Sequence, residues 1–178
     1  MSRGNDMHVF SLVTNDHPGV LVRIALVFAR RGFNIESLAV SPGATPGFAR
    51  FTITSRGHAD TREQMIKQLA KLVDVVFVTD HQDEQCVEAE IGLIKLRCAG
   101  ESRARALAIA REHGATVIDQ SEDTVILRAQ GDSAELSRLC TALEAFGLEE
   151  LVRSGPIVMD RGASHFAHLL GTPKQGPR

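Results

Sequence analysis

Val9-Phe10-Ser11-Leu12-Val13 reads as a strand and Asn15-Asp16-His17-Pro18-Gly19 as a turn. After them comes a helical stretch with apolar residues at Leu21, Ile24, Leu26, Val27 and Phe28. Arg23, Arg30 and Arg31 fall on its other side, as an amphipathic helical period requires. Pro18 suits a first helical turn, and Gly32 suits the position just past a helix end. A second strand over 35–40 follows. The loop Ser41-Pro42-Gly43-Ala44-Thr45-Pro46-Gly47 then breaks regular structure. Residues 48–54 alternate Phe, Ala and Ile with Arg and Thr, the pattern of a half-buried strand. Met65, Ile66, Leu69 and Leu72 space a helix over 61–72, and 73–78 is a closing strand. The order is strand, helix, strand, strand, helix, strand.

The second half repeats that order. Residues 91–97 form a strand and 102–113 an Ala-rich helix ended by Gly114. A hairpin joins 116–119 to 124–129 around Ser121-Glu122-Asp123; a helix over 134–146 ends at Gly147, and 148–152 is the last strand. The expected fold class is therefore α+β: two ferredoxin-like βαββαβ domains, each an antiparallel sheet with both helices on one face. The free face of each sheet must be covered or remain as an apolar surface for a partner. The polar run Asp80-His81-Gln82-Asp83-Glu84-Gln85 divides the halves. The expected organisation is a first domain over 1–80, a linker over 81–86, a second domain over 87–162 and a flexible tail over 163–178. Halves of about 75 residues are marginal alone, which favours oligomerisation through sheets or their edges.

Composition excludes several functions. The chain has 178 residues, 43% of them hydrophobic, and a formal charge of −2. That balance lacks the basic face of a nucleic-acid binder, whose domain pI usually exceeds about 9. Trp and Tyr are absent, so eight Phe supply all strongly aromatic packing and leave little for a base-stacking platform. Cys86, Cys98 and Cys140 are odd in number and form no CxxC pair, which reads as free thiols in a reducing cytosol. No apolar run approaches the roughly 18 residues of a membrane span, and the start lacks a signal peptide's apolar region. The expected location is the cytoplasm.

No catalytic set emerges from the residues. Cys98 and Cys140 sit in apolar elements and read as buried thiols. His17 reads as a solvated turn residue. His165 and His168 have helical spacing, but no carboxylate or cysteine nearby completes a metal site. The turn before the first helix is different. Helix N-termini offer unpaired N–H groups and partial positive charge, and Gly19 would let a carboxylate approach the backbone. Asp16 offers a carboxylate to an ammonium group. Together they fit the two charged ends of a free amino acid, although ordinary capping is the commoner use of such a turn. Asn34, with both a donor and an acceptor, would read polar groups there. It would do so from the same sheet edge as Asp16, or by facing another copy's turn across a two-fold axis.

These residues resemble a known family. Asp16-His17-Pro18-Gly19-Val20-Leu21 and Arg31-Gly32-Phe33-Asn34-Ile35-Glu36-Ser37-Leu38 look like the start of the acetohydroxyacid (acetolactate) synthase regulatory small subunit. Lys67-Gln68-Leu69-Ala70-Lys71-Leu72-Val73-Asp74-Val75, Glu88-Ala89-Glu90-Ile91 and Arg153-Ser154-Gly155 extend the similarity, which runs from about residue 8 to 162. The resemblance implies an N-terminal ACT domain and a homodimer. Valine, or another branched-chain amino acid, would bind between its ACT domains. Asp16, Gly19 and Asn34 would hold the effector, with Leu21 and Ile35 beside its aliphatic side chain. The family often carries Asn where Asp16 stands. The chain itself would have no catalysis and no cofactor. Its partner would be a catalytic large subunit carrying thiamine diphosphate, Mg and FAD, which this chain activates and makes sensitive to feedback inhibition. The competing expectation is a stand-alone ACT-type amino-acid sensor acting on another partner. Arg23, Arg30 and Gln68 are candidate contacts to a catalytic subunit, or simply a solvated charged face.

Overall fold

A computed structural model describes residues 6–81 and 86–162. The predicted linker lies mostly, and the tail with His165 and His168 wholly, outside them. The described chain forms two compact units. Residues 88–157 make one, and residues 6–81, 86–87 and 158–162 make the other.

In the first unit, β1 (Asp6–Asn15), α1 (Val20–Arg30), β2 (Ile35–Pro42), β3 (Phe48–Gly57), α2 (Ala59–Leu69) and β4 (Val75–His81) follow in order. The antiparallel sheet runs β2-β3-β1-β4, the ferredoxin-like arrangement. Register decides which residues share a face. Phe10 pairs with Ile53 and Leu12 with Phe51, so these four point together toward the helices. Val20, Ile24 and Phe28 of α1, at successive steps of four, close over them with Met65 and Leu69 of α2. Phe10 and Phe28 meet edge-to-face, ring centroids 6.0 Å apart.

The other sheet face carries small hydroxyls. Ser11, Thr52 and Thr54 are buried there, and the Ser37 and Thr54 hydroxyls bond at 2.6 Å. His81, read as part of the polar boundary, lies instead in β4 with its side chain buried. Its Nε2 stands 2.8 Å from Ser11 Oγ and its Nδ1 2.9 Å from Asp160. Burial lowers the His81 pKa, against the opposing pull of Asp160. Arg50 Nη2 donates to the Val158 carbonyl at 2.7 Å. These two contacts tie Val158 and Asp160 to the first unit, whereas the sequence reading places them in the second.

The second unit holds β5 (Cys86–Arg97), α3 (Gly100–Glu112), β6 (Thr116–Gln120), β7 (Thr124–Gly131), α4 (Ser133–Leu143), a short turn of 3-10 helix and β8 (Leu148–Arg153). The sheet order is β6-β7-β5-β8, so the architecture repeats; strand β9 (Ile157–Asp160) pairs with β5 but clusters from Val158 on with the first unit. Ile94, Leu96, Val125 and Leu127 form its core with Ala106 and Ala110 of α3 and Leu136, Leu139 and Leu143 of α4. Alanines on α3 let that helix sit close to the sheet. Ile91, Leu93 and Val152 remain exposed on the opposite face, as expected for an uncovered sheet.

Candidate functional site

The turn that precedes α1 is tied down by its backbone. Asn15 N–H donates to the Asp74 carbonyl and Asp16 N–H to the Gly47 carbonyl, both at 2.9 Å. Asp16 then faces solvent. The helix begins two residues after Pro18: Gly19 is the N-cap, with φ +90°, and Val20 is the first helical residue. Only glycine adopts that left-handed backbone without strain. No side chain caps α1, and its first turn holds no acidic residue.

Asp74 organises this corner, and the sequence reading did not assign it a role. Its side chain is 6% exposed and its two oxygens divide between two side chains. Oδ1 lies 2.8 Å from His17 Nε2, and Oδ2 accepts from Arg23 Nε at 2.5 Å. Burial works against the ionised carboxyl, but the hydrogen bond and charge of Arg23, with His17 behind them, outweigh it. The Asp74 pKa is held below the usual carboxylate range. His17 and Arg23 are thus partners of a buried acid while remaining 47% and 40% exposed.

Asn34 is elsewhere. Its carbonyl accepts from Ser55 Oγ at 2.7 Å and its Nδ2 donates to Glu36 at 3.3 Å, and its side chain is exposed. Ile35 pairs with Ser55 at one end of β3, while Asn15 pairs with Phe48 at the other. Seven residues of extended strand separate these ends by roughly 23 Å. The expectation that Asn34 shares a sheet edge with Asp16 is therefore wrong within one chain, because α1 lies between them and carries the chain roughly 16 Å along its axis. Asp16, Gly19 and the exposed Leu21 cluster at the helix start; Asn34 and the half-buried Ile35 follow its end.

The second unit has a different polar centre. Glu90, 3% exposed, receives Arg153 through Nε at 2.9 Å and Nη2 at 2.6 Å, and Ser133 Oγ at 2.8 Å. Burial raises its pKa, but the Arg153 and Ser133 hydrogen bonds prevail and hold it below the usual range. Ser154 Oγ accepts from Ile91 N–H, and Ser154 N–H donates to the Ile91 carbonyl. The segments Glu88–Ile91 and Arg153–Gly155, distant in sequence, thus serve each other as scaffold. Among the described residues no group of three His, Cys, Asp or Glu is arranged to hold a metal. Burial pushes the Cys140 thiol pKa up, away from nucleophilic use. No described helix is long and apolar enough to cross a membrane.

Comparison with known proteins matches two families in succession along the chain. Residues 10–77 match the family described as the AHAS small subunit-like ACT domain, and residues 89–162 the family described as the small subunit of acetolactate synthase. The chain is 38% identical over 159 residues to a probable acetolactate synthase small subunit of Methanothermobacter thermautotrophicus, covering 89% of this chain and 95% of that protein. It is 38% identical over 155 residues to the acetolactate synthase small subunit of Mycobacterium bovis, covering 87% and 92%. The crystal structure of the acetolactate synthase small subunit from Thermotoga maritima superposes with a TM-score of 0.80 at 34% identity, covering 89% of this chain and 99% of that one. This chain belongs to the acetolactate synthase small-subunit family, with an ACT domain as its first half.

Proposed function

We propose that two copies of this chain pair through their ACT domains and bind valine, or another branched-chain amino acid, at the junction. The single observation carrying this reading is the separation of Gly19 and Asn34 to opposite ends of α1. A two-fold axis crossing the middle of α1 sets the start of one helix beside the end of its twin, and so brings Gly19 of one copy near Asn34 of the other. Two further features support that pairing. Leu21, Val22 and Leu26 form an exposed apolar stripe on α1, with Val22 61% exposed. Strand β2 is an edge of its sheet. An isologous contact would bury the stripe and give the edge a partner.

In this reading Asp16 pairs with the effector's ammonium group and the Gly19 turn admits its carboxylate. Asn34 of the second copy reads the remaining polar atoms, and Leu21 and Ile35 flank the aliphatic side chain. The chain performs no chemistry itself. It activates a thiamine-diphosphate-dependent catalytic subunit in branched-chain amino-acid synthesis and confers feedback inhibition. Effector occupancy biases the dimer toward one arrangement, and the catalytic subunit feels this as a coupling of about 1–3 kcal/mol, or roughly 5–150-fold. Reconstitution with the catalytic subunit tests it. Valine should inhibit the wild-type complex, and Asn34→Ala should relieve that inhibition while preserving activation; unchanged inhibition removes Asn34 from the site.

A further inference from the structure

The corner around Gly19 sets an arginine where a helix start usually carries an acid. A cation near a helix N-terminus is unfavourable by a few tenths to about 1 kcal/mol, and acidic residues usually occupy that turn. Here the first turn holds none, yet Arg23 folds back over it. A β-carbon built on Gly19 would stand 3.1 Å from Arg23 Nη1, so the guanidinium lies against the glycine itself. Asp74 occupies only Nε. Among the described residues no acceptor bonds Nη1 or Nη2, and the side chain is 40% exposed. The result is a guanidinium gripped from behind by a buried carboxylate, with two amino groups presented beside the turn.

We infer that Arg23 directly contacts the carboxylate of the effector and that Asp74 is the residue positioning it. This deepens the effector reading above and rests on it. A fork of N–H groups in a fixed orientation matches a carboxylate in shape as well as charge, which a lysine would not. Asp74 removes the conformational freedom that a long side chain would otherwise lose on binding. The ligand must therefore keep a free α-carboxylate. Its amide, with the same aliphatic group and amine, would be discriminated against at this point alone.

Calorimetric titration of the full chain with valine and with valinamide tests the assignment. Wild type should prefer valine. Arg23→Gln should weaken valine by about ten- to hundred-fold, the range of a hydrogen bond to a charged group, and move valinamide less than about threefold. Asp74→Asn should shrink the valine preference in the same direction but less, whereas a merely structural role would weaken both ligands alike. Should Arg23→Gln fail to fold by circular dichroism, Arg23→Lys is read in its place, with a smaller selective loss expected. An unchanged valine-to-valinamide ratio in a folded Arg23 variant overturns the inference and leaves the effector reading standing. Absence of heat from wild type with any branched-chain amino acid removes the effector reading and this assignment with it.

Discussion

The two units share one architecture and begin their first helices differently. Helix α1 starts from Gly19 with no side-chain cap and no acid in its first turn, and Arg23 holds two amino groups outward. Helix α3 starts after Ala99, carries Glu101 in its first turn, and its Arg103 bonds the backbone through two of its three nitrogens. Arg103 Nε and Nη2 donate to the Cys98 carbonyl at 2.9 and 2.8 Å, and Nη2 also reaches the Glu122 carbonyl at 2.7 Å. One arginine closes a corner by consuming backbone acceptors; the other leaves a corner open to a ligand. Repetition of a fold thus does not repeat its site. Each unit buries one carboxylate, Asp74 in the first and Glu90 in the second, but Glu90 takes both Nε and Nη2 of its arginine whereas Asp74 takes only Nε.

The largest expected effect comes from breaking the interior pair. Glu90→Ala strands Arg153 beside α4 and should destabilise the chain by about 3 kcal/mol, the lower end for breaking a buried ion pair. Urea unfolding measures the loss. Valine heat, taken where the variant remains folded, should be unchanged. A loss below about 1 kcal/mol, the range of exposed pairs, would show that the closed Arg153 fork adds little, and the contrast between the units would fail.

The next pair of variants compares the two corners directly. Gly19→Ala and Gly100→Ala each force a β-carbon onto a left-handed backbone, at φ +90° and +54°, and each should cost about 1–2 kcal/mol in a denaturant titration. Their binding should diverge. At Gly19 the added carbon meets Arg23, so valine affinity should fall at least tenfold; at Gly100 nothing lies within 4 Å and affinity should not move. Equal effects on valine would show that the corner's chemistry is not what distinguishes α1. Smaller still is Asp132→Ala in α4. Asp132 accepts from the Glu135 N–H while Glu135 returns a bond to Asp132 N–H, a reciprocal cap whose loss should cost about 1 kcal/mol by the same titration.

The fold was legible because its signals are local. Phe10 and Leu12 alternate with Ser11, and Val20, Ile24 and Phe28 recur at helical steps, so strand and helix follow from neighbours in the chain. Strand β9 was missed because Ile157–Asp160 is short and follows Ser154-Gly155-Pro156, a turn by composition. Asp80 and His81 read as a polar boundary because the partners that hold His81 in place, Ser11 and Asp160, lie far away in sequence. The site divides the same way. Asp16, Gly19 and Asn34 stand out as residue types at a turn, whereas the link between Asp74 and Arg23 spans 51 positions and no periodicity announces it. A lone acid inside the apolar stretch Leu72-Val73-Asp74-Val75-Val76-Phe77-Val78 was the available hint.

Acid titration gives the gentlest test, because it adds protons to both units without cutting a contact. His81 is buried with a lowered pKa, so the unfolded chain binds its proton more readily, and stability falls as pH drops below the ordinary imidazole range. Asp74 and Glu90 have depressed carboxyl pKa values. Their stabilisation is complete above the unfolded carboxylate range and disappears only as pH falls through the lower folded values. The first unit should therefore begin to weaken nearer neutrality, at no more than about 1.4 kcal/mol per pH unit for a single proton. The groups facing His81 set how steep that loss is: Asp160 and Asp80 favour the imidazolium, and Arg50 opposes it. His81→Gln should flatten the near-neutral slope of the thermal midpoint and leave the acid limb, where the carboxyls titrate, in place. If the near-neutral slope survives the substitution, the titrating group is not His81, and the buried histidine is held by Ser11 and Asp160 for packing alone.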